Sequence, residues 1–466
     1  MTGYPFNHHQ LIRRIGDRLT LPLPTRQYTT LKRLELTDME FQPATAVMVK
    51  YLLDCCSPVL EELLISVSSG IAVGIESDDE DEDYTESDEN EGLAVKQYSK
   101  ETGNADASVQ AQAPYITVEG REWKLWRLVL RGDLGRQGSL VWLPLMQRCF
   151  QLQEFFISVY CNQMIKRLAY TLRHYCPKIS DITLRCMTEI PQDDSMISDL
   201  IQSSQSLKRL SISFFSGFGP LSTAALVGHS TTLETLVLED CYGIISEDIQ
   251  AVLSSCANLK TFRVVPTHNT STAYLEADDL VDSPWACLRL EHLQLIIEGI
   301  PRPDIRNNRY GERLTGPLHD GTITGFDLQK KVYQQLGKLT KLRELWLGFN
   351  NENLDDIGFD RFTIDDLHLG FFDSGEQVEC LEFSLESGLE LLHGLKELRV
   401  LKIDSLRTRI GLSEAMWMGR EWPKLKRIYG MVFRGNAALP ESVIWLTKNR
   451  KDIHLVPLPG NFSVLQ

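Results

Sequence analysis

The sequence predicts an α/β fold of the repeating kind, in which one short strand and one helix alternate along a chain of 466 residues. Three observations carry this expectation. A six-residue pattern, apolar at its first, fourth and sixth positions, recurs along the chain. Its spacing is nearly constant. Between its occurrences lie segments with the apolar stripe of a helix.

The strand pattern is read first. It occurs at Leu31/Leu34/Leu36, Leu60/Leu63/Ile65, Leu125/Leu128/Leu130, Leu152/Phe155/Ile157, Ile179/Ile182/Leu184 and Leu207/Leu210/Ile212. It continues at Leu233/Leu236/Leu238, Leu259/Phe262/Val264, Leu290/Leu293/Leu295, Leu342/Leu345/Leu347, Leu398/Leu401/Ile403 and Leu425/Ile428. Weaker copies stand at Ile364/Leu367/Leu369 and Ile12/Ile15. From Leu125 the first positions advance by 27, 27, 28, 26, 26 and 31 residues. A period of this length with this pattern is that of leucine-rich repeats, each a strand with a helical return. The expected architecture is therefore a right-handed β-α superhelix, a solenoid with helix-bearing repeats of about 27 residues. An isolated repeat cannot bury its apolar face, so each inward Leu or Ile contributes its ~1.5–3 kcal/mol only when a neighbour covers it.

The returns read as helices. Ser246 to Cys256 places Ile249, Val252, Leu253 and Cys256 on one face, and Gln163 to Tyr175 does the same with Ile165, Leu168, Ala169 and Leu172. Ser413 is the expected N-cap of a short helix carrying Trp417, with Glu414 in its first turn. Pro177 and Pro423 follow helix ends, where a proline cannot continue the helix.

The ten cysteines include no Cys-x-x-Cys pair, so neither a zinc site nor a disulfide framework is expected. Cys149, Cys176 and Cys256 each stand three residues before a first strand position, which predicts small buried residues closing the helix. Asp240-Cys241 lies at a strand end without the histidine that a thiol nucleophile needs. With no nucleophile elbow, zinc-protease motif or phosphate loop present, no enzyme activity and no cofactor are expected.

The formal net charge is −15, but Glu76 to Glu91 alone holds eleven acids and no base, and without them the chain stands at −4. The folded part is close to neutral, and neither nucleic acid nor a membrane is an expected partner. The acidic run lies within a 65-residue interval between Leu60 and Leu125 and has the composition of a disordered loop, 69–113. Ser77 and Thr85 precede acids in the manner acid-directed kinases favour, which makes them candidate phosphorylation sites. The chain thus divides into an N-terminal cap or degenerate first repeat (1–30), repeats (31–68), the acidic loop (69–113), repeats (114–296), a loop excursion (297–330), repeats (331–450) and a C-terminal cap and tail (451–466).

Positions three, five and seven of each strand point away from the core and form the candidate face for a protein partner. They include Arg127 and Arg131, Phe156, Asp181 and Arg185, Arg209, Arg263, Glu344, Trp346 and His368. Four successive repeats are read as carrying arginine there, which predicts a basic patch for an acidic segment with Trp346 as an aromatic anchor.

The C-terminal half also resembles a known family. The segments that carry the resemblance are Pro284-Trp-Ala-Cys-Leu-Arg-Leu290, Val332-Tyr-Gln-Gln-Leu-Gly-Lys-Leu-Thr-Lys-Leu-Arg-Glu-Leu-Trp-Leu347, Cys380-Leu-Glu-Phe-Ser-Leu-Glu-Ser-Gly-Leu389 and Trp417-Met-Gly-Arg-Glu-Trp-Pro-Lys-Leu-Lys-Arg-Ile428. Over roughly residues 120–440 the chain is similar to the F-box and leucine-rich-repeat proteins of early-diverging soil fungi. The resemblance implies a cytoplasmic or nuclear substrate receptor of a Skp-cullin-F-box ubiquitin ligase, in which the F-box holds the Skp adaptor and the repeats select the target. Here the strand at Leu31 follows Leu21-Pro-Leu-Pro24 too closely for the F-box helices to intervene, so the expectation is either a member without the F-box or a chain whose F-box lies upstream of this sequence. The other expectation is a stand-alone scaffold or GTPase-regulating repeat protein.

Overall fold

A computed structural model describes residues 32–39, 59–67, 123–132, 146–159, 162–186, 193–265, 273–300, 325–347, 381–403, 407–408, 410–431 and 439–456. The fold is α/β and is organised by one parallel sheet of 13 strands. In sheet order these are β1 (Arg33–Met39), β2 (Glu62–Val67), β3 (Arg127–Arg131), β4 (Glu154–Val159), β5 (Asp181–Cys186), β6 (Arg209–Ser213), β7 (Thr235–Glu239) and β8 (Thr261–Val265). Beyond them lie β10 (His292–Leu295), β12 (Glu344–Leu347), β14 (Val400–Lys402), β16 (Arg427–Tyr429) and β17 (His454–Val456). Two short ribbons stand beside the main sheet, β9 (Leu275–Glu276) with β11 (Ile297–Glu298) and β13 (Glu382–Phe383) with β15 (Arg407–Thr408).

Each strand pairs with the next in the chain within the main sheet, which is the arrangement of a solenoid-like stack. Apolar positions four and six face inward and are sealed: Leu210, Ile212 and Leu236 show no exposure at all. The helices cover that inner side and pack on one another from repeat to repeat. They include α1 (Asn162–Tyr175), α2 (Asp194–Gln202), α3 (Pro220–Val227), α4 (Ser246–Ser255) and α5 (Ala277–Asp282). After them come α6 (Gly325–Gly337), α7 (Leu412–Glu421) and α8 (Glu441–Asn449). Ile165, Leu168, Ala169 and Leu172 of α1 are buried, as are Ile249, Val252 and Leu253 of α4, so both predicted stripes face the core.

A recurrent turn leads into many of the strands. The amide of the first strand position donates to the carbonyl three residues earlier, as Leu152 to Cys149 and Ile179 to Cys176 at 3.0 Å, Leu290 to Cys287 at 3.1 Å and Leu425 to Trp422 at 3.1 Å. The side chains at that carbonyl residue stack down the core and are buried at Cys149, Cys176, Ser204, Cys256, Cys287, Leu339, Leu395 and Trp422. Burial pushes the thiols up, to about 12 at Cys176 and Cys287 and to about 11 at Cys256. Cys241, fully buried, is raised further for the same reason.

Several expectations need revising. The α7 helix begins at Leu412 with Gly411 as its N-cap, and Ser413 lies inside the first turn. The cap is supplied from the other end of the motif: the Glu414 carboxylate accepts the Gly411 amide at 2.9 Å. Both ends of the 297–330 interval are structured, by β11 and by α6. The tail contributes β17, which pairs with β16. As a loop there requires, β2 pairs directly with β3, so the long interval between Leu60 and Leu125 does not interrupt the main sheet. Ser77, Thr85, the acidic run 76–91 and the weak copies at Ile12/Ile15 and Ile364/Leu367/Leu369 lie outside the described residues.

Candidate functional site

The sheet register aligns side chains of equivalent position into columns across the outer face. Neighbouring strands in a sheet lie roughly 4.8 Å apart, so each column is a ladder of side chains in lateral reach of one another.

Position three runs Arg33, Glu62, Arg127, Glu154, Asp181, Arg209, Thr235, Thr261, His292, Glu344, Val400, Arg427 and His454. Its N-terminal half, from Arg33 to Arg209, holds three cations and three anions and neutralises itself. Arg127 lies 3.6 Å from Glu62 and donates through Nε to Glu154 at 2.8 Å, and Arg33 approaches Glu62 at 3.9 Å. Arg209 pairs with Asp181. Such half-exposed pairs are worth roughly 0–1 kcal/mol each, and their larger effect is to cancel one another's field.

Position five is apolar at Leu64, Val129 and Phe156, and polar and aromatic from Arg263 through Gln294, Trp346 and Lys402 to Tyr429. In that second stretch the Arg263 Nε donates to Gln294 Oε1 at 2.8 Å, and its guanidinium carbon lies 5.3 Å from the Trp346 ring centroid. The Lys402 ammonium lies 4.9 Å from the same ring and 5.9 Å from that of Tyr429. Cation–ring contacts of this kind contribute ~0.5–2 kcal/mol, more where water is excluded. Lys402 is almost wholly buried.

Position seven carries Arg131 and Arg185. Arg131 lies over the Phe156 ring at 5.5 Å, and Arg185 over that of Phe214 at 5.2 Å. Phe214 holds a left-handed backbone, with φ of 64°, at the end of β6.

The structure therefore places every predicted partner-binding residue on the outer strand face except His368, which, like Ser77 and Thr85, lies outside the described residues. It does not gather the arginines into one patch. They stand on β3, β5, β6 and β8 with β4 and β7 between, and the repeats carrying them are not consecutive. Arg127 and Arg209 belong to the neutralised column, while Arg131, Arg185 and Arg263 lie on aromatic rings. Glu344 and Trp346 come together with Arg263 around a hollow of about 270 Å³ on β8, β10 and β12, whose walls also include Thr261, His292 and Gln294. The Glu344 carboxylate is held below its usual range, first by the hydrogen bond with His292, whose Nδ1 lies at 3.2 Å, and then by the charges of Arg427 and Arg263.

His292, Gln294, Lys402, Tyr429 and Phe214 were not among the residues expected on this face. Lys402 and Tyr429 occupy position five of the repeats at Leu398 and Leu425, so the strand pattern identifies them once it is followed to the end of the array. Phe214 follows position seven and has no counterpart signal in the sequence.

Among the described residues no group of three or more His, Cys, Asp or Glu side chains is placed to hold a metal ion, and no helix is long and apolar enough to cross a membrane. No protein-family model matches the chain, and no curated protein matches it significantly in sequence.

Proposed function

We propose that the chain is a leucine-rich-repeat solenoid, a right-handed superhelix whose outer strand face is concave and holds another protein. The observation that carries this reading is the file of cationic and aromatic side chains, Arg263, Trp346, Lys402 and Tyr429, interrupted only by Gln294, on one face of a 13-stranded parallel sheet. Arginine and aromatic residues dominate the energetically important centres of protein interfaces. A file of this kind, with its buried thiols protonated, is suited to recognition.

Within that reading, the resemblance of residues 120–440 to F-box repeat proteins favours a target-selecting component related to Skp-cullin-F-box ubiquitin ligases. The test is affinity purification of the tagged full chain with mass spectrometry, alongside a Phe156→Ala/Arg185→Glu variant and a Lys166→Glu control on exposed α1. The expected result is a target retained by the control and lost by the double variant, with the Skp adaptor beside it only if an F-box precedes the repeats. Retention of every partner by the double variant counts against the outer face. A target that arrives without adaptor or cullin removes the ligase and leaves a stand-alone scaffold.

A further inference from the structure

The hollow across β8, β10 and β12 differs from the rest of the outer face in the balance of its hydrogen-bonding groups. Arg263 commits only its Nε, to Gln294, and its two terminal nitrogens have no hydrogen-bond partner among the described residues. The Trp346 Nε1 is buried and also lacks one among the described residues. A buried donor left unpaired is costly, so it favours an acceptor that arrives with a ligand. The acceptor already in the walls, Glu344, is engaged by His292. Arg263 on β8 and Arg427 on β16 both bear on that one carboxylate, the only one among the described residues that line the hollow. On the N-terminal strands the position-three charges cancel instead.

Size narrows the class of ligand. At about 270 Å³ the hollow is smaller than the ~300–1,000 Å³ of ordinary small-molecule sites, and it suits one side chain of a larger partner. The geometry points to an anchor site for an acidic side chain, Asp or Glu, of an extended polypeptide bound on the outer face, with Arg263 and the Trp346 Nε1 as its donors. This assignment rests on the reading of that face as a protein-binding surface. The charged fork of Arg263 supplies a carboxylate with paired donors, and the Trp346 ring beside it excludes water on one side.

The experiment uses the full chain and a fluorescein-labelled dodecapeptide of alternating Glu and Gly, followed by fluorescence anisotropy. Lys-Gly and Ser-Gly dodecapeptides serve as counterparts. The Glu-Gly peptide is expected to bind, and to bind less tightly as salt is raised. Arg263→Gln is expected to weaken binding by roughly tenfold or more, as the loss of a charge-assisted hydrogen bond does. Trp346→Phe, which keeps a ring and removes the donor, is expected to weaken it severalfold. Lys166→Gln removes the same charge from α1 and is expected to leave binding unchanged. Circular dichroism checks that each variant is folded.

Equal affinity of Arg263→Gln and the parent chain overturns the assignment, as does equal binding of the Lys-Gly peptide. Binding that appears only after residues 76–91 are excised overturns it too, because the occupant is then the chain's own acidic segment. The two readings fail separately. If the Phe156→Ala/Arg185→Glu variant keeps its target, the outer face is at fault. If that variant loses its target while Arg263→Gln binds the Glu-Gly peptide normally, only the anchor is.

Discussion

The carboxylate of Asp194, the first residue of α2, caps the helix of the following repeat, where the Ser222 amide donates to its Oδ1 at 3.0 Å. The same carboxylate accepts the Gly219 amide at 3.0 Å and the Leu221 amide at 2.7 Å. The first turn of α3 is thus completed by its neighbour. The device recurs where the Ser246 hydroxyl of α4 accepts the amide of Glu276, the residue before α5, at 2.8 Å. Asp194→Ala strips several helix-terminal amides of their acceptor at once. The expected loss is ~2 kcal/mol, the upper end of the range for a single cap, read as a lower urea midpoint.

The thiol column gives a prediction about chemistry. With Cys176 and Cys287 pushed up to about 12 and Cys256 to about 11, almost no thiolate exists at pH 8. Iodoacetamide applied to the native chain is expected to leave these three unmodified, and urea is expected to expose them. Peptide mass spectrometry after labelling reads both states.

Serine is already tolerated in that column. Ser204 stands there, and its hydroxyl donates to the Ile179 carbonyl at 2.7 Å. Cys176 stands at the same column position but turns to a different carbonyl, that of Met146, to which its Sγ donates at 3.7 Å. Cys176→Ser therefore finds an acceptor in place, and a change of less than ~1 kcal/mol in unfolding free energy is expected. A cost of several kcal/mol would mean that the carbonyl is out of a hydroxyl's reach.

Trp422 occupies the same column position near the C-terminus, with no exposure. Its ring meets Trp417 edge-on at 5.0 Å between centroids, and its Nε1 donates to the Leu392 carbonyl at 3.1 Å. Trp422→Ala opens a cavity and is expected to cost ~3–5 kcal/mol. Trp422→Phe keeps part of the packing and is expected to cost less, with the remainder reflecting the unpaired carbonyl. Paired denaturation curves for the two variants give the order.

An acid-side loss of stability is expected from the C-terminal repeats. Lys396 and then Arg420 hold the Glu421 carboxylate at about 2, below its ordinary 4.5. A group lowered by folding stabilises the native state above the ordinary value and ceases to do so as pH falls toward the folded one. The window is therefore pH 4.5 down to about 2. Glu421 is half-buried and its partners Lys396 and Arg420 are largely exposed, so the effect is small and screened by salt. Glu421→Gln is expected to flatten the stability profile across that window, as followed by thermal unfolding in a pH series.

The strands were more legible than the surface they carry. Each of the twelve strong copies of the pattern lies at a strand of the main sheet, because Leu at fixed spacing is required wherever a strand must bury one face. The last strand lacks that signature: His454-Leu455-Val456 carries one apolar pair and follows the charged run Arg450-Lys-Asp452. The helix stripes were equally readable, whereas the cap of α7 was not, because Glu414 acts on Gly411 from within the helix and no side chain at the cap position advertises it. Charge cancellation depended on strand adjacency. Arg127 meets Glu62 only because β2 and β3 are neighbours despite the long interval between them. Identity at each outer position could be read from the sequence, but lateral partners could not.

That regular adjacency makes the outer face a ruler. Arg185 on β5 and Trp346 on β12 are five strand intervals apart in the sheet order. At roughly 4.8 Å per interval the separation along the sheet is about 24 Å. A fully extended segment gains about 3.3–3.6 Å per residue, so about seven residues bridge it. A helical segment rises only ~1.5 Å per residue and needs about sixteen. The distance between two contact residues in a partner's sequence thus reports the conformation in which that partner lies across the strands.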